Sequence, residues 1–184
     1  MKKMFALFLA LLLVVSLAAC GSGAEVTTET TTEPFDIEGY KNLVSDCVTE
    51  IYDNTVILSN IISYEYKYIK IYKNISGASA KPDIEEVVET GILGLEEYSD
   101  YTEEFVKEQY NEISAMYNDI VLSDTDNTEA NEIKTKFKEM HEAYVGLYNL
   151  AFSPSLDLYA LASSHDEYIN TIKNCKATLE ILLS

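Results

Sequence analysis

From Ile37 onward, apolar side chains recur along this chain in steps of three and four. Ile37, Val44, Ile51, Leu58, Glu65 and Tyr72 make one row; Tyr40, Cys47, Asn54, Ile61, Tyr68 and Ile75 make a second. That spacing puts both rows on one helical face, the seam of a bundle or coiled coil. The pattern predicts a first helical segment over 36–75, closed by the turn NISGASAK at 74–81. A second segment is expected over 82–122. Pro82 suits its first turn, and Asp83, Glu85 and Glu86 suit the positive end of its dipole. Its seam reads Ile84, Val88, Gly91, Leu95, Tyr98, Thr102, Phe105, Gln109, Met116 and Ile120, with Gly91 and Gly94 either weakening it or admitting close packing. SDTDNT at 123–128 breaks the period. Segment three, over 129–149, carries Ile133, Phe137, Met140, Tyr144, Leu147 and Ala151. Segment four, over 154–183, carries Leu158, Leu161, His165, Tyr168, Ile172, Cys175, Leu179 and Leu182. Pro154 disfavours helical geometry at Ser153, which is the expected N-cap of the last helix.

The expected fold is all-α, an antiparallel up-down-up-down four-helix bundle with a long first hairpin. The alternative is a three-helix bundle whose third helix runs over 129–183 with a Pro kink. NLAFSPS at 149–155 contains both stop and start signals, which favours four segments. YEYKYIKIYK at 64–73 alternates like a strand, but it sits inside the continuous heptad and reads as helix.

The N-terminus follows a different pattern. Lys2 and Lys3 precede a nearly unbroken apolar run from Met4 to Ala19, 16 residues long. A span needs ~20 residues, so the run reads as a secretory signal over 1–19. Leu17-Ala18-Ala19-Cys20-Gly21 resembles the lipobox of bacterial lipoproteins. The resemblance implies cleavage before Cys20 and a covalent diacylglycerol on its thiol. Two acyl chains suffice for stable anchoring. Residues 20–34 then form a Thr/Glu-rich tether with no apolar period, and 35–184 the folded ectodomain. The implied location is the extracytoplasmic face of the cell membrane. Many Lys, Ile, Asn and Tyr with no Arg hint at an AT-rich, Gram-positive host. The layout is similar to that of small Gram-positive surface lipoproteins with helical ectodomains, a likeness that implies no activity.

Charge narrows the partners. The chain carries −18 formally, and without Lys2 and Lys3 eleven lysines face 31 acids, giving −20. An acidic chain without Arg repels nucleic acid and lacks the side chain best shaped for phosphate. Cationic or neutral partners are favoured. Catalytic signatures are missing from the sequence. There is no phosphate-cradling Gly loop and no Gly-x-Ser-x-Gly elbow. His141-Glu142 begins a zinc-protease pattern, but Val145 stands where the second His is needed. DTDN at 124–127 lacks the Gly and terminal Glu of a calcium loop. The expectation is a non-enzymatic, partner-binding domain with no cofactor beyond the lipid. The alternative is a ligand- or metal-binding sensor or carrier.

Three constellations follow from the predicted heights. A turn at Ser153 places His141 and His165 level, near Asn54 and Thr102. These four would form either a register-fixing polar layer or a metal or small-ligand site. A first hairpin longer than the second would leave a Tyr- and Lys-rich tip uncovered. That tip comprises Tyr64, Tyr66, Lys67, Tyr68, Lys70, Tyr72 and Lys73, faced by Ile92, Leu93 and Tyr98, and is a candidate partner surface. Cys47 and Cys175 fall at similar heights on antiparallel helices. They would be either a disulfide, which secretion permits, or two reduced core thiols.

Overall fold

Asp36 starts the first helix: its carboxylate accepts the Gly39 amide at 2.9 Å. Helix α1, Ile37–Ser76, ends where Gly77 takes φ +103° and returns its amide to the Lys73 carbonyl. That positive φ is open to Gly and strained for other residues. The computed structural model describes residues 35–99, 101–123 and 126–184, except the Tyr98 side chain. The expected signal, the lipidation site Cys20 and the tether lie outside these residues. The folded unit runs from Phe35 to Ser184.

Four more helices follow: α2 Ile84–Tyr98, α3 Glu103–Leu122, α4 Thr128–Phe152 and α5 Leu158–Leu182. The fold is all-helical, and no strand occurs among the described residues. The heptad rows of α1 are its buried face. Val44, Cys47, Ile51, Leu58, Ile61 and Glu65 are fully enclosed, and only the far end opens, where Ile75 is 80% exposed. The seam of α4 is buried throughout as its spacing predicts, and that of α5 is buried at Leu161, Ile172, Cys175 and Leu179 and half-buried at Leu158, His165, Tyr168 and Leu182.

Pair contacts set the directions. Cys47 meets Ile113 on α3, while Ile61 and Glu65 meet Gly91 on α2, so the second segment runs antiparallel to α1. Lys41 pairs with Glu129, and Tyr144 bonds Asn54, so α4 runs parallel to α1. Gly146 receives the Tyr168 ring, and Lys176 sits over the Tyr52 ring 5.0 Å from its centroid, so α5 runs antiparallel to both. Up-down-up-down order holds, and α4 and α5 are separate helices rather than one kinked one.

Three expectations are corrected. The second segment is two helices, because Ser99 is extended (φ −151°, ψ 166°) and Thr102 caps a new start, its hydroxyl accepting the Phe105 amide. The last helix is capped by Asp157, which accepts the Ala160 amide, and Ser153 instead closes α4. The hairpin tip is not bare either. Lys73 donates to the Leu156 carbonyl at 2.7 Å, so the α4–α5 connection reaches the end of α1.

Candidate functional site

A buried polar set crosses the middle of the bundle. Asn54 is 2% exposed, and its Oδ1 accepts the Tyr144 hydroxyl at 3.1 Å. His141 stacks on Tyr117, with centroids 3.7 Å apart and planes 9° apart. Burial lowers its pKa to about 4, so the imidazole is neutral at physiological pH. Thr102 is not in this set, being an exposed helix cap. His165 is not in it either. Gly146–Tyr168 contact sets α5 about two turns out of the expected register with α4. His165 therefore lines the α1–α5 groove with Tyr66 and Lys70, while His141 lies against α3. The two imidazoles face different seams and do not make one metal site. No group of three or more His, Cys, Asp or Glu is placed to hold an ion among the described residues.

The thiols are both buried and unbonded. Cys47 points at the Ile113 carbonyl of α3, and Cys175 faces Glu139 and Lys136 of α4. Facing different helices, they are two core thiols rather than a disulfide. Burial pushes Cys47 up to about 12 and Cys175 up to about 11, which removes thiolate reactivity at neutral pH.

The expected tip residues divide between packing and groove. Tyr64 lies against Gly94, and Lys67 caps its ring at 4.9 Å. Tyr68 donates to Glu86, and Tyr72 lies beside Tyr68 with centroids 6.2 Å apart. Tyr66, Lys67 and Lys70 line the groove between α1 and α5. Ile92 and Leu93 belong to a different surface, on α2.

That surface is an open concavity of about 470 Å³. The predicted seam put Ile84 and Val88 inward. Gly91 and Leu95 are buried as the seam predicts, but Val87 is enclosed in place of Val88, which is half-buried, and Ile84 is 46% exposed. Gly91 and Gly94 explain the rotation, since a Cβ at either would stand 2.5–2.7 Å from side-chain carbons of α1. Close approach on the glycine side turns the neighbouring apolar stripe outward. Val88, Ile92 and Phe152 line the resulting groove, with the exposed Ile84 and Leu93 at its edge. Glu85, Glu89 and Glu96 stand along one line of α2 beside it, and none has an ion-pair partner among the described residues. Glu103 completes the rim and pairs with Lys107. The acids at 85, 89 and 96 were a visible signal for this face; the seam phase obscured the apolar half.

Fold and surface together define a helical bundle bearing an acid-rimmed apolar groove. Comparison of the chain with protein-family models, with curated proteins and with solved structures finds no match.

Proposed function

We propose that this chain is a lipid-anchored extracytoplasmic domain that binds a basic amphipathic helix of a partner protein in the α2 groove. The anchor rests on the Leu17–Gly21 pattern. The observation that carries the binding role is the groove. Its apolar floor and exposed Ile84 and Leu93 are bordered by three unpaired glutamates. A contiguous apolar strip with a one-sign rim fits a helix with apolar residues on one face and Lys or Arg beside them. The apolar contact supplies affinity, and the rim supplies orientation and on-rate.

Two measurements test the two halves. Cys20→Ala is expected to abolish incorporation of labelled fatty acid and to leave the precursor uncut; labelling at the wild-type level would contradict the anchor. A Leu/Lys amphipathic peptide matched to the 15 residues of α2 is expected to bind with roughly micromolar affinity and to weaken with salt. Val88→Ser with Leu93→Ser should weaken it about tenfold, one decade being 1.4 kcal/mol. Glu85, Glu89 and Glu96 changed together to Gln should do the same. The matched control, Glu50, Glu108 and Glu132 changed to Gln, removes the same charge from other exposed positions. Equal weakening by both Gln sets would mean that the peptide reads only net charge, and the groove would not be its site.

A further inference from the structure

Six lysines are held by polar partners. Lys41, Lys107, Lys136 and Lys176 pair with glutamates, and Lys73 and Lys134 donate to backbone carbonyls. Lys67 and Lys70, one turn apart on α1, have no acidic partner among the described residues. They flank a groove of about 360 Å³ whose walls are Ile62, Tyr66, Leu161 and Ala162. His165 enters from α5. Its Nδ1 lies 3.5 Å from the Asp166 carboxylate, and its Nε2 is enclosed with no hydrogen-bond partner. Lys67 and Lys70 thus flank an apolar trough in a protein of net charge −18.

We infer that the α1–α5 groove is a binding site for a small organic anion, a carboxylate carried on a short apolar or aromatic body. Lys67 and Lys70 supply charge at the groove mouth. His165 walls the groove beside Asp166, with its Nε2 turned inward and enclosed. Ile62, Tyr66, Leu161 and Ala162 receive the apolar body, and the volume lies at the small end of ligand pockets. The site is built on different helices from the α2 groove, and it stands or falls independently of the proposed helix binding. Asp166 is the one acid in its lining, and its carboxylate faces the imidazole, which leaves the lysine side of the mouth free for an anion.

Benzoate and hexanoate are the probes, titrated into the isotope-labelled ectodomain and followed by amide shifts, with benzylamine and benzyl alcohol as cationic and neutral counterparts. Saturable shifts are expected at 62–70 and 161–166 with the two carboxylates, and at least fivefold weaker binding with the amine and the alcohol. Lys70→Gln should weaken benzoate at least fivefold while melting is unchanged. Lys173→Gln, a change to an exposed lysine elsewhere on α5, should leave it as in wild type. Equal binding of benzoate and benzylamine, no saturation by either carboxylate, or shifts lying elsewhere would each overturn the site. Should a Gln variant melt lower, Lys67→Arg with wild-type affinity, set against loss in Lys67→Gln, carries the same decision.

Discussion

Glu65→Gln is expected to stabilise the domain by about 3 kcal/mol at neutral pH and to remove most of its loss of stability between pH 6.5 and 9. Glu65 is fully enclosed, and neither carboxylate oxygen has a hydrogen-bond partner. Ile61 and Glu65 close over Gly91. Burial raises its pKa from 4.5 to about 9. The folded state therefore keeps a proton that the unfolded state releases above pH 4.5. Stability is fully present below that pH, falls as pH rises, and the loss is complete above about 9. His141 acts in the opposite sense. Its pKa is lowered from 6.5 to about 4, so its contribution is full above pH 6.5 and is lost on acidification. The two slopes oppose each other between pH 4.5 and 6.5; from there to about 9 only Glu65 of the two acts, and above 9 the raised Cys47 and Cys175 thiols add to the loss. Urea unfolding of wild type and variant across this range reads the difference directly. The gap should widen with pH; a gap independent of pH would mean that the carboxyl is hydrated and titrates normally. Glu65→Met should stabilise further, since it also removes buried polar atoms that lack partners.

Tyr144→Phe should cost about 1–3 kcal/mol, because the one hydrogen bond to Asn54 disappears while the amide stays buried. Asn54→Leu should cost a similar amount by stranding the Tyr144 hydroxyl, whose residue is fully buried. The double variant should lie near wild-type stability, since both polar groups leave together. At about 2–4 °C per kcal/mol, melting curves resolve the cycle. Additive losses in the double variant would show that the two side chains act separately.

The helical class, the chain order and most of the core were legible because the seams of α1, α4 and α5 keep one phase over their full lengths. Asn54 and Glu65 could be read as buried from their heptad positions alone. The break between α2 and α3 carried a signal in Ser99, Thr102, Glu103 and Glu104, but the apolar period runs across it in step and masks it. The groove was hidden for a related reason. Gly91 and Gly94 set how closely α2 approaches α1, and that distance rotates the apolar stripe in a way one-dimensional spacing does not encode. Register between α4 and α5 depended on where the last helix starts. Asp157 and Ser153 are both good caps, and choosing between them moves His165 from the polar layer to the α1–α5 groove.

The binding role of the α2 groove is most directly tested by mapping where the Leu/Lys helix sits on the labelled ectodomain. Amide shifts should saturate together and cluster at 84–96, with Glu103 and Phe152 included, and the peptide carrying Glu in place of Lys should give none. Shifts scattered over the acidic surface, or centred on any other helix, would contradict the groove as the partner site.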